Sequence, residues 1–129
     1  VNGTFYVTQA VVRTMIPRRA GMVLSITSSV GRIGRAAWGA YSVSKFALEG
    51  MMQTLAEEVA PFNLRVVTLN PGGTRTKMRA AAYPKETPTR LQDPARVAKA
   101  LLFLAQTAYA NPDLHGKSLD MTDLPEEAK

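Results

Sequence analysis

The sequence predicts an α/β fold, a partial doubly wound parallel sheet of about three strands with helices on both faces. Two observations carry that prediction. Apolar residues recur at helical spacing in three long segments, and three short strand-like runs follow them in turn, giving the order helix, strand, helix, strand, helix, strand. Such alternation calls for right-handed crossovers between parallel strands, with each helix packed back on the sheet. The chain has 129 residues, of which 46% are apolar and 20% charged, enough for one domain with a buried core.

Taken in order, "NGTFYVTQAVVRTMIP" carries Phe5, Val7, Ala10, Val11, Val12, Met15 and Ile16 at helical recurrence, so a helix is expected over 2–16 with Pro17 as its stop. "RRAG" is a turn, and "MVLSITS", residues 22–28, suits a buried strand. Gly31, Gly34 and Gly39 make the next ten residues a loop. A second helix runs from Tyr41 to Ala60, with Ala47, Met51 and Leu55 on one face and Pro61 ending it. "LRVVTLN", residues 64–70, is a strand closed sharply by "PGG". Residues 74–92 contain Pro84 and Pro88 and no strong period, which predicts a mobile loop. Asp93 then caps a helix with Pro94 at its first position, and Val97, Leu101, Leu104 and Ala108 face the core. "GKSLDMT" is a last short strand. Residues 1–122 form the single domain, and the acidic tail, 123–129, is expected to be loosely ordered.

Composition removes several function classes. The net charge is +6, but Lys and Arg are scattered without a dense stripe or interleaved aromatics, so no nucleic-acid partner is expected. No apolar run reaches the roughly 18 residues of a membrane span, and no secretory signal opens the chain. Without cysteine there are no disulfides or thiolate metal sites, which fits a cytoplasmic protein. His115 is the one histidine and no acidic cluster accompanies it, so no metal site is expected and a structural role suits it.

In "AYSVSKFALEG", Tyr41 and Lys45 stand four residues apart, one helical turn, and so share a side of the helix. Alone the pair is weak and could be a solvated surface pair. Its setting strengthens it: "TSS", "NPGG" and the start of the Tyr41 helix all fall beyond the carboxyl ends of strands, where such sheets place their sites. Ser28 ends its strand 13 residues before Tyr41, with Ser29 as a rival one residue nearer.

Together "VNGTFYVTQA", "SITSSVGRIG", "YSVSK" and "NPGGTRT", in this order and spacing, resemble the short-chain dehydrogenase/reductase family over residues 1–122. The resemblance implies a Rossmann-like sheet and hydride transfer between NAD(P)(H) and a carbonyl or alcohol substrate. Free tyrosine has a pKa of about 10 and needs a neighbouring cation to act near neutrality. By resemblance Tyr41 is the acid/base, while Lys45 lowers its pKa and holds the nicotinamide ribose. Ser28 hydrogen-bonds the substrate oxygen, and Asn2 holds a water linking Lys45 to a proton relay. Pro71, Gly72, Thr74 and Thr76 join Tyr41 and Lys45 in contacting the cofactor, with Thr74 standing where a branched apolar residue is commoner. The family's counterpart of the 41–60 helix packs against its copy, so a homo-oligomer through the 2–16 and 41–60 helices is implied. Gly50 and the adaptable Met51 and Met52 suit such a surface.

The chain departs from the family at its Gly-rich phosphate turn and its Asn-Asn-Ala-Gly segment, neither of which occurs here. "GRIGR", 31–35, has two glycines and leads toward Tyr41, not into a phosphate-facing helix. The residue choosing between NAD and NADP is absent too, so either cofactor remains open. "DMTDLP" replaces the usual glycine pair after the last strand. The expectation is therefore the C-terminal catalytic half of such an enzyme. The alternative is a truncated, non-catalytic product unable to hold cofactor, persisting as an oligomer through its unpaired sheet edge. Trp38 either lines the substrate pocket or covers the loop. Arg32 and Arg35 either draw an anionic substrate or are solvated, the second being the plainer reading. Substrate choice would lie in residues 74–92.

Overall fold

The computed structural model describes residues 1–129. Helix α1 spans Asn2–Met15 and gives way at Pro17 to the turn before strand β1, Met22–Ile26. Helix α2, Gly39–Val59, ends against Pro61 in a short 3-10 turn, after which Asn63 takes the left-handed conformation at φ 58°. Strand β2 is Arg65–Asn70, α3 is Lys77–Ala82, α4 is Pro94–Thr107 and β3 is Ser118–Asp120. Pro94 occupies the first turn of α4, where no N–H partner is needed, and the Asp93 carboxylate accepts from the Ala95 N–H at 2.8 Å.

The strands form one parallel sheet in the order β1-β2-β3, with Val23 opposite Val66, Ser25 opposite Thr68 and Leu69 opposite Leu119. Helices α2 and α4 are the crossovers between successive strands, so the expected alternation is realised. Beyond Ile26 the Thr27 N–H still donates to the Leu69 carbonyl at 2.9 Å, which carries the extended backbone up to Ser28.

Strand β2 is central and buried from Val66 to Leu69, as a strand covered on both faces is. Val66 packs with Val12 of α1 and with Met52, Ala56 and Val59 of α2. Leu69, of opposite parity, packs with Ala100 and Leu104 of α4 and with Met121, Leu124 and Ala128. The buried stripe of α2 comprises Ser42, Glu49, Met52, Ala56 and Val59, so the face expected from Ala47, Met51 and Leu55 is in fact its half-buried flank. Met52 is only 2% exposed, which corrects its assignment to a partner surface: its flexible thioether fills the gap between helix and sheet, while Met51 beside it is half-buried. In α1 only Val12 is buried, while Phe5, Val7 and Val11 face outward. Gly50 is exposed and has open space around it within the chain.

Two stretches are better ordered than their composition suggests. Residues 74–92 hold α3, and Thr74 bridges Gln92 in parallel while Arg75 and Gln92 N–H groups donate to Gln92 and Gly73 carbonyls at 2.9 Å each. The Arg79 guanidinium grips Glu86 through two 2.7 Å hydrogen bonds and lies over the Tyr83 ring. The expected mobile loop is therefore a braced segment. The tail is likewise packed, since Leu124 and Ala128 enter the α4 cluster, with Ala128 fully buried. His115 bridges β2 and α2, accepting from the Val66 N–H at 3.2 Å and facing the Ala56 carbonyl at 3.0 Å, a structural role. No helix is long and apolar enough to cross a membrane.

Candidate active site

The carboxyl edge of the sheet gathers Ser28 after β1, Asn70–Gly72 after β2, Asp120 at the end of β3, and the first turns of α2. Tyr41 lies on the first turn of α2 and is 37% exposed. One turn on, the Lys45 Nζ donates to the Ile26 carbonyl at 2.9 Å and lies 5.7 Å from the Tyr41 ring centroid. Burial pushes the Lys45 ammonium below the ordinary lysine value, and the Glu49 carboxylate a further turn along acts against that shift.

The loop between β1 and α2 is clamped to the helix. The Ser42 hydroxyl donates to the Val30 carbonyl at 2.7 Å, and Gly31 sits so close that a Cβ there would lie 2.8 Å from the Lys45 carbonyl oxygen. Ser28, half-buried and extended, leads into this clamped turn, while Ser29 is exposed. Trp38 stacks between Tyr41, at 5.4 Å between ring centroids, and Tyr83 at 5.8 Å, so it joins α2 to the 74–92 segment. Asn2 is exposed at the first residue of α1; its neighbours Val1 and Thr4 line a shallow groove with Ser44, Lys45 and Leu48.

After β2 the Asn70 side-chain oxygen accepts from the Gly72 N–H at 3.0 Å, and Gly72 takes φ 70°, a conformation open to glycine. The Gln92 side chain donates to the Pro71 carbonyl and the Thr74 hydroxyl to the Gly72 carbonyl at 3.3 Å, so Pro71, Gly72 and Thr74 share one braced turn. Thr76 caps α3, its oxygen accepting from the Arg79 N–H at 3.1 Å. The structure thus brings Ser28, Tyr41, Lys45, Pro71 and Gly72 to one edge and places Thr76 at a helix start, while Asn2 is exposed and does not itself line the Lys45 groove.

Sequence reasoning missed a polar network beneath this edge. Glu49, 4% exposed, accepts from the Thr27 hydroxyl at 2.5 Å and the Ser118 hydroxyl at 2.9 Å. Arg32 is not a solvated loop arginine: its guanidinium forks onto the Asp120 carboxylate at 2.7 and 3.3 Å, with its Nε 3.8 Å from Glu49. Asp120 also accepts from the Asn70 side chain at 2.7 Å. Burial alone would raise the Asp120 carboxyl, but hydrogen bonds from Arg32 and Asn70 and the Arg32 charge outweigh it and hold the group below the ordinary aspartate value. One hint was available: Glu49 lies seven residues after Ser42 and seven before Ala56, on the inward stripe of its helix.

A parallel Rossmann-like sheet with a Tyr–Lys helical turn and a glycine turn at its carboxyl edge defines a class of α/β protein. The family model for short chain dehydrogenase matches residues 1–87, and the chain belongs to that family. It is similar to the uncharacterized oxidoreductase YciK of Escherichia coli K12, with 53% identity over 104 residues, 81% of this chain and 41% of that protein. It is similar also to the 3-oxoacyl-[acyl-carrier-protein] reductase FabG of Aquifex aeolicus, with 38% identity across 81% of this chain and 45% of the other. Among solved structures, a short chain dehydrogenase from E. coli CFT073 complexed with NADPH superposes with a TM-score of 0.80 at 48% identity, covering 93% of this chain and 49% of that one. The chain thus spans about half the length of the relatives it matches.

Proposed function

We propose that this chain supplies the catalytic half of an NADP(H)- or NAD(H)-dependent oxidoreductase acting on a small carbonyl or alcohol substrate. The observation that carries the reading is the Lys45 ammonium, held at the end of β1 within 5.7 Å of the exposed Tyr41 ring. The residues fit a nicotinamide: at Gly72 the positive φ and a Gln92 side-chain nitrogen 3.3 Å from any Cβ leave a turn at the carboxyl edge of the sheet that an L side chain would strain. Tyr41, Lys45, Pro71, Gly72, Thr74 and Thr76 would hold it. When bound, the reduced nicotinamide supplies hydride to the carbonyl carbon. Tyr41 gives its phenolic proton to the substrate oxygen, and Lys45 stabilises the phenolate left behind. Ser28 donates a hydrogen bond to the same oxygen as charge develops there. Asn2 holds a water that returns a proton through Lys45. NADPH bound to a related structure and reductase names among the relatives support this reading. The test is oxidation of NADPH and NADH by the whole enzyme with a panel of ketones and aldehydes. Carbonyl-dependent loss of reduced nicotinamide is expected, and its absence across the panel from a folded, cofactor-binding enzyme would refute the proposal.

The enzyme is a homo-oligomer through α1 and α2 in this reading, since Phe5, Val7 and Val11 of α1 and Val43 and Phe46 of α2 present apolar side chains outward. Phe46→Glu should lower the oligomer order in sedimentation velocity; an unchanged sedimentation coefficient would exclude this face. The absence of cysteine fits a cytoplasmic setting.

A further inference from the structure

The polar network under the site connects its two working sides. From Ser28 one residue back, Thr27 bonds Glu49; from Gly72, the backbone N–H bonds Asn70, which bonds Asp120. Arg32 touches both carboxylates, with two hydrogen bonds to Asp120 and its Nε facing Glu49 at 3.8 Å. That Nε is buried and makes no hydrogen bond within the chain, and the Glu49 carboxylate lies 3.8 Å from it.

We infer that Arg32 is a positioning residue that fixes the substrate-facing Ser28 segment and the cofactor-facing Gly72 turn in one register through Glu49 and Asp120. The inference deepens the proposed function and rests on its placement of Ser28 and Gly72. Two carboxylates converge on the ends of three strands, and without a cation between them they repel. With Arg32 removed, Asp120 loses its two guanidinium hydrogen bonds, and the Asp120–Asn70–Gly72 chain loses the cation that ties it to Glu49. A lysine cannot replace the guanidinium, because the planar fork that meets both Asp120 oxygens has no counterpart in a point charge.

The experiment is equilibrium titration of the whole enzyme with NADPH, paired with steady-state kinetics, for Arg32→Ala, Arg32→Lys and Asp120→Asn. Arg32→Ala is expected to weaken NADPH binding about tenfold and to lower kcat about tenfold, since small misplacement of reacting groups carries large rate losses. Arg32→Lys should recover less than half of the binding loss. Asp120→Asn should weaken NADPH binding in the same direction, and added to Arg32→Ala it should cause little further loss, as residues acting as one unit do. A folded Arg32→Ala enzyme of lower Tm whose NADPH affinity and kcat stay within about twofold of the parent would overturn the inference. If Arg32→Ala does not fold, unchanged NADPH affinity in Asp120→Asn overturns it equally. The NADPH titration is independent of proton transfer, so a failure of Tyr41 as acid/base would appear separately, in the Tyr41→Phe rate.

Discussion

Replacing Tyr41 by phenylalanine in the whole enzyme should lower kcat by about a thousandfold, within the usual range for loss of a general acid or base, while NADPH affinity stays within about twofold. The substitution removes one oxygen and little else. Tyr41 is 37% exposed, so its hydroxyl supports no core contact, and its ring can keep its place against Trp38 at 5.4 Å. The Lys45 bond to the Ile26 carbonyl does not depend on the phenol either. What disappears is the phenolic hydroxyl proposed as proton donor to the substrate oxygen. The measurement is single-turnover oxidation of NADPH alongside a binding titration. Retention of most of the rate would remove Tyr41 from the mechanism, and loss of NADPH affinity in step with the rate would point to a binding role.

Leu104→Ala should destabilise the fold by about 2–5 kcal/mol, the range for deleting a buried leucine side chain where the surroundings cannot collapse. Leu104 is fully buried among Leu69, Ala100, Met121, Leu124 and Ala128, so the vacancy would open between α4, the central strand and the tail together. Leu102, 58% exposed on the same helix, provides the control, where alanine should cost no more than about 0.5 kcal/mol. Urea unfolding of both variants decides the matter. Equal midpoints would mean that the second face of the sheet is not closed by α4.

The order of elements was legible because α2 and α4 each bury one stripe and the strands between them are short apolar runs. The Tyr41–Lys45 turn was legible for a local reason, one helical turn separating two residues of known chemistry. Helix α3 was not, because it buries no residue and its Met78 is among the most exposed apolar side chains; its start rests on the Thr76 cap and its brace on Arg79 and Glu86. The tail misled through its charge, since only Leu124 and Ala128, four apart, carry its packing. Arg32 was read as solvated because its partner Asp120 is 88 residues away, and no local pattern reports such a contact. Glu49 shares that difficulty, with Thr27 and Ser118 on opposite sides of it in sequence.

The parallel register also governs how the molecule comes to be folded. Met22 pairs with Arg65, 43 residues on, and Thr68 with Ser118, 50 residues on, so neither pairing can be started by a hairpin. Each needs a long chain closure whose entropy must be met before any ladder forms, which makes parallel pairing intrinsically slow. The contacts that need no such closure are the local ones within α2 and α4. The contacts of Arg32 with Asp120 and of Glu49 with Ser118 require the third strand in place, so the polar network at the sheet edge is complete only once β3 has paired.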